Sequence, residues 1–233
     1  MQEGQGRQYQ NCAIQCIKGH HRCEAVILLH GLARTKNAFK KLAKRLTNQG
    51  YRVINLSYPS TKEPIESLAQ DIITQSLQQC PGADKVHFVT HSMGGILLRH
   101  YLANNKIEKL GHVVMLGPPN HGSQVVDKLK SIPLFALING PAGMQLGTDS
   151  NAIVNRLPDA HFSLGIIAGN RSINLLLSTL LPTPNDGKVS VISTKLSGMT
   201  DHLILPVTHP FMMNNKQVTQ QVLHFLKFAC FNR

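Results

Sequence analysis

The stretch Val86-His-Phe-Val-Thr-His-Ser-Met-Gly-Gly-Ile-Leu-Leu98 constrains this chain more than any other part of it. Val86, Phe88 and Val89 form a short apolar run of buried-strand type, and behind it Ile96, Leu97, Leu98, Tyr101 and Leu102 recur at helical spacing. One sharp turn, Thr90-His91-Ser92-Met93-Gly94-Gly95, lies between them. A serine caught between strand and helix, with glycines just after it, is the pattern of a nucleophile elbow. The turn is strained and lifts the Ser92 hydroxyl clear of the sheet, and small flanking residues let strand and helix pass closely. The helix that follows aims its N–H groups and positive dipole end at negative charge developing beside Ser92. The competing reading is a glycine-softened turn holding an ordinary N-cap serine. Thr90 stands where Gly-x-Ser-x-Gly has its first glycine, so a tighter turn is expected.

The rest of the chain alternates around this unit. Ala25 to His30 is a continuous apolar run, as in a parallel-sheet strand buried on both faces. Tyr51–Ser57, Gly111–Gly117, Phe162–Gly169 and His202–Val207 read as further strands. Between and after them helical periodicity covers 35–48, 64–79, the segment to about Asn104, a short piece at 175–181, and 214–228, whose Val218, Val222, Phe225 and Leu226 point inward. Strand–helix alternation predicts right-handed βαβ crossovers and an α/β fold, with a mainly parallel central sheet and helices on both faces. From about 118 to 160 the alternation lapses into Gly, Pro and Asn turns with short apolar pieces, which predicts a cap-like insertion over the active edge. Residues 1–24 form a polar N-terminal segment with an edge strand expected near Cys12–Ile17, and residues 25–233 are expected to form one domain.

Charge and cysteines bound the partners. Twenty-four Lys+Arg against twelve Asp+Glu give +12. Such a surface attracts anions over a range that salt screens, and weak contact with an anionic membrane is one expectation, carried by Lys36, Lys40, Lys41, Lys44 and Arg45 of the first helix. A solvated basic face is the other. Aromatic residues are 5% and no nucleic-acid-reading signature is present, so no nucleic-acid partner is expected. Five cysteines, Cys12, Cys16, Cys23, Cys80 and Cys230, without disulfide-framework spacing predict free thiols in a reduced, cytoplasmic setting. Cys12, Cys16, His20, His21 and Cys23 lack a C-x-x-C knuckle, so no metal is expected. The first thirty residues lack the charged start and apolar core of a signal peptide.

A serine hydroxyl is a weak nucleophile and needs a base, which in turn needs a group to hold it. His209, beyond the last strand, is the expected base. His202 competes but begins that strand, and sites in such sheets gather at strand carboxyl ends. Asp186, in the Asn185-Asp186-Gly187 turn between the last two strands, is the expected orienting acid, against the plainer role of a turn aspartate bonding its own backbone. Asp201 lies too near the last strand's start, and Asp149 and Asp159 fall in the cap. The backbone N–H groups of Met93 and Leu32 are the expected oxyanion donors, with Gly31 letting the first loop turn.

Taken together, Leu28-Leu29-His30-Gly31-Leu32, His91-Ser92-Met93-Gly94-Gly95, Pro119-Asn120-His121-Gly122-Ser123, Asn185-Asp186-Gly187 and Thr208-His209, in this order, resemble the α/β-hydrolase family, in particular its small bacterial lipases and esterases. The resemblance runs from about Val26 to Phe228. It implies a Ser92–His209–Asp186 triad, a Leu32/Met93 oxyanion hole, and hydrolysis of lipid or small-molecule carboxylic esters through an acyl-enzyme without metal or cofactor. A thioesterase or acyltransferase would use the same machinery. A non-catalytic binding protein on this fold is the alternative of another class.

Overall fold

The computed structural model describes residues 23–233. The expected edge strand near Cys12–Ile17 and most of the cysteine–histidine cluster lie outside them. Six strands, β1 (Glu24–Leu29), β2 (Arg52–Asn55), β3 (Lys85–His91), β4 (Leu110–Leu116), β5 (Leu164–Gly169) and β6 (Asp201–Leu205), form one parallel sheet in the order β2-β1-β3-β4-β5-β6. The chain runs outward from β1 to β2 and then returns to the other side of β1. This reversal makes the carboxyl ends of β1 and β3 the topological switch point, where such sheets place their ligands.

Alternation along each strand divides the core into two layers. Ile27, Phe88, Met115 and Ile166 face one side, against Leu68 and Ile72 of α2 (Ile65–Gln78) and Ile96 and Leu97 of α3 (Met93–Asn104). Val26, Leu28, Val89 and Val114 face the other, against Leu42 and Leu46 of α1 (Lys40–Asn48) and Val222 and Phe225 of the closing helix. Both faces being covered explains why β1 reads as an unbroken apolar run. In α1 the two buried leucines are one turn apart, and Lys40, Lys41, Lys44 and Arg45 are left exposed.

The segment between β4 and β5 is helical where turns were expected. It carries α4 (Gln124–Leu129), α5 (Pro133–Met144) and α6 (Ile153–Arg156). Ser123 caps α4 by accepting from the Val125 N–H. α5 is broken at Gly140, whose φ of 62° no helix tolerates and where a Cβ would run into the Thr61 carbonyl. Short pieces like these bury too little surface each to print a clear period in sequence. Two further short helices, α7 (Leu175–Ser178) and α8 (Val191–Thr194), precede β6, the first ending earlier than its apolar run suggests. The chain closes with a 3-10 turn, His209–Asn214, and α9 (Lys216–Phe228), whose inward residues are those its period predicts. Asn215 caps α9 by accepting from the N–H groups of Gln217 and Val218.

Among the described cysteines Cys80 and Cys230 are free thiols, but Cys23 is disulfide-bonded, which corrects the expectation of free thiols throughout. No helix among the described residues is long and apolar enough to cross a membrane.

Candidate active site

β3 ends at His91 and α3 begins at Met93, which leaves Ser92 alone to turn the chain. Its φ of 52° and ψ of −123° are a conformation that L-residues rarely adopt. The Ser92 side chain makes no capping bond to the helix, so the ordinary N-cap reading fails. Close packing fixes the residues after it: a Cβ on Gly94 would strike the Leu29 carbonyl oxygen of β1. Thr90 fits where a glycine is usual because Gly95 makes room. A Cβ there would lie 3.2 Å from the Thr90 hydroxyl oxygen, and Thr90 is fully buried.

His209 and Asp186 come together from segments far apart in sequence. His209 Nδ1 is 2.7 Å from Asp186 Oδ2, and the His209 N–H donates to the Asp186 carbonyl at 3.1 Å. The other carboxylate oxygen accepts from the N–H groups of Lys188 and Val189 at 3.0 and 2.8 Å. Asp186 thus bonds its own turn through one oxygen and His209 through the other. Asp186 is 1% and His209 4% exposed. Gly117, at the end of β4, leaves space for the pair, since a Cβ on it would sit 3.0 Å from Asp186 Oδ2 and 3.2 Å from His209 Nδ1.

Ser92 and His209 line one open pocket. Its walls are largely apolar, with Val125 and Val126 from α4, Phe135 from α5, and Leu146 and Leu177. Leu32 borders the same pocket, and Met93, directly after Ser92, is the first residue of α3. The bend of the β1 loop falls on Ala33, with φ of 52°, rather than on Gly31. Gly31 serves close approach instead: a Cβ on it would lie 2.9 Å from His91 Nδ1.

The other candidates are elsewhere. His202 Nε2 pairs with the Thr194 hydroxyl at 2.9 Å, and the residue lies opposite Ile166 near the start of β6. Asp201 holds the chain terminus through Arg233 and the Phe231 N–H. Asp149 pairs with Lys130 at 3.7 Å. Asp159 acts on Arg99, a buried guanidinium on α3.

A profile of the alpha/beta hydrolase fold family matches residues 24–137, the part of the chain that carries the elbow. The mature lipase BlEst2 of Bacillus licheniformis superimposes with a TM-score of 0.65 at 20% identity, over 90% of this chain and 94% of that one. The present chain has the α/β-hydrolase fold. Phospholipase PlaB of Legionella pneumophila, in complex with thio-NAD, aligns with a TM-score of 0.69 at 17% identity, over 89% of this chain and 59% of its own. Lipase B of Aspergillus fumigatus gives 0.65 at 14%, over 89% and 53%. No curated protein sequence matches the chain.

Several residues of this α/β-hydrolase-fold protein escape a reading by motif. His91 is buried with Nε2 3.0 Å from the His209 carbonyl oxygen, so its proton belongs on Nε2. Burial first, and then the neighbouring His209, hold it well below the ordinary histidine pKa. It stays neutral beside His209, their ring centroids 4.7 Å apart. Arg99 donates to the carbonyls of Asn120, Leu157 and Pro158 at 3.0, 3.2 and 3.3 Å, tying α3 to both ends of the cap segment, and burial lowers its pKa to about 10. Asn120 donates to the Thr194 carbonyl at 2.8 Å, so the Pro119–Ser123 segment is braced from beneath. His91 and Asn120 stand inside motifs whose sequence gives them no role of their own, and nothing in the sequence marks Arg99.

Proposed function

We propose that the protein is a serine hydrolase of carboxylic esters, in keeping with its lipase and esterase structural neighbours. The observation that carries this reading is the strained, uncapped Ser92 sharing one pocket with a histidine whose far nitrogen is bonded to a buried carboxylate. In this role His209 Nε2 takes the Ser92 hydroxyl proton as the oxygen attacks the ester carbonyl. The bond to Asp186 keeps Nδ1 protonated and stabilises the imidazolium that forms. The oxyanion meets the N–H groups of Leu32 and Met93, worth about a hundredfold or more per donor. Collapse breaks the carbonyl–oxygen bond of the ester as His209 returns the proton to the departing alcohol, leaving Ser92 acylated. Water, deprotonated by the same imidazole, then releases the acid and restores the serine. The apolar wall suits an acyl chain. No step calls for a metal or cofactor.

The test is hydrolysis of p-nitrophenyl esters of increasing chain length by wild type, Ser92→Ala and His209→Ala. We expect each variant to lose about 10⁴-fold or more in kcat with its fold intact. Full activity in Ser92→Ala would overturn the reading.

A further inference from the structure

The Ser92 pocket carries a charge pattern that ester hydrolysis alone does not require. Arg34, on the loop that also carries Leu32, and Lys188, beside Asp186 in the turn before β6, both line it. No carboxylate lines the pocket among the described residues, and neither cation has an ion pair there. The two charges are close enough to act on each other. Lys188 sits below the usual lysine pKa, first by partial desolvation and then through Arg34, with Asp186 pulling the other way, although its side chain still reaches solvent. Both side chains stay exposed to solvent, which screens their mutual repulsion, and an anion seated between them would be attracted by both charges at once. Val125, Val126 and Phe135 supply an apolar wall in the same pocket.

Resting on the hydrolase reading, we infer that the site selects esters joining an apolar acyl chain to an alcohol that bears an anionic group, phosphate or carboxylate, with Arg34 and Lys188 reading the charge. The acyl chain lies along the apolar wall, and the anion sits between guanidinium and ammonium as the alcohol leaves. A cleft that focuses positive potential on one spot raises local anion concentration and on-rate by about ten- to a thousandfold, an effect that salt weakens.

The experiment compares one medium-length acyl chain esterified to glycerol, glycerol phosphate, glyceric acid or choline. All are kept monomeric in solution so that no lipid surface contributes, and acid release is followed. At low ionic strength we expect kcat/KM for an anionic ester to exceed that of the glycerol ester by at least about tenfold, chiefly through KM, with the choline ester slowest. The ratio should shrink with added salt and fall severalfold in Arg34→Gln and in Lys188→Gln. Lys44→Gln, on the exposed face of α1, should keep the wild-type ratio. A gain with phosphate alone identifies a phosphate site and a gain with both anions a general anion site, and either supports the inference. A ratio near one, or one that ignores both pocket substitutions, or one that falls equally in Lys44→Gln, overturns it. Hydrolysis of the glycerol ester without anion preference overturns this inference alone. If no ester is cleaved and a fluorophosphonate leaves Ser92 unmodified, the hydrolase reading fails and the inference falls with it.

Discussion

The helix behind Ser92 and the helix over its pocket are opposites. Along α3, Met93, Ile96, Leu97 and Leu98 are fully buried, wedged between the sheet and α2. Along α5, Leu134 is 62% and Leu137 79% exposed, and the helix is broken at Gly140. A reacting serine must be held to a fraction of an ångström, which tight packing on all sides achieves. A wall that receives chains of variable shape gains from the reverse, few contacts and a low cost of local opening. On the proposed function, the chemistry would be built into the core of the molecule and the acyl wall laid on top of it.

Substitutions can break that contrast in order of size. Asp186→Asn should lower kcat by about 10³- to 10⁴-fold, since an amide cannot hold the imidazole tautomer as a carboxylate does, while the turn survives through the side-chain oxygen that the Lys188 and Val189 N–H groups use. Steady-state kinetics beside a thermal melt separates the two effects. Leu97→Ala on the buried side should cost about 2–5 kcal/mol in denaturant unfolding, whereas Leu137→Ser on the exposed side should stay within about 0.5 kcal/mol. Equal losses at both positions would erase the distinction. At the small end, Thr90→Val should be neutral or stabilising by up to about 1 kcal/mol with activity kept, because the buried Thr90 hydroxyl has no hydrogen-bond partner to lose.

The same core makes stability depend on acidity. Burial leads the downward shift of His30, His87, His91, His112 and His202, and takes His87 to about 4 against the opposing pull of Glu24. Between that value and the ordinary histidine value of 6.5 the unfolded chain binds protons that the native protein refuses. Stability therefore rises with pH across this window, levels off above it with respect to these groups, and is lost as pH falls toward 4. Urea midpoints measured at steps from neutral to about pH 4.5 should decline steadily; a flat profile would mean that these rings are solvated.

What the sequence discloses follows the same division. All six strands and α1, α2, α3 and α9 carry an apolar run or a hydrophobic period because each packs against a core, and that pattern survives in one dimension. The turn at Ser92 is legible because strain and close approach together leave few residue choices from His91 to Gly95. His209 is readable from its position beyond the last strand's carboxyl end, and Asp186 as the carboxylate in the turn between the last two strands, although their 2.7 Å contact is not. The helices α4 to α6 stay hidden because they are short and half-exposed. Gly117 looks like any strand-ending glycine until the Asp186–His209 pair is seen against it. Arg34 and Lys188 share a pocket only because the sheet brings two distant loops to one edge, which no local pattern records.

The measurement that bears most directly on the account is covalent labelling of the intact, folded protein by a fluorophosphonate, with the modified residue located by mass spectrometry. Activation of Ser92 by His209 predicts a single adduct on Ser92, absent from Ser92→Ala and at least about a hundredfold slower to form in His209→Ala. A folded protein that takes no label, or takes it on another serine, would contradict the central claim.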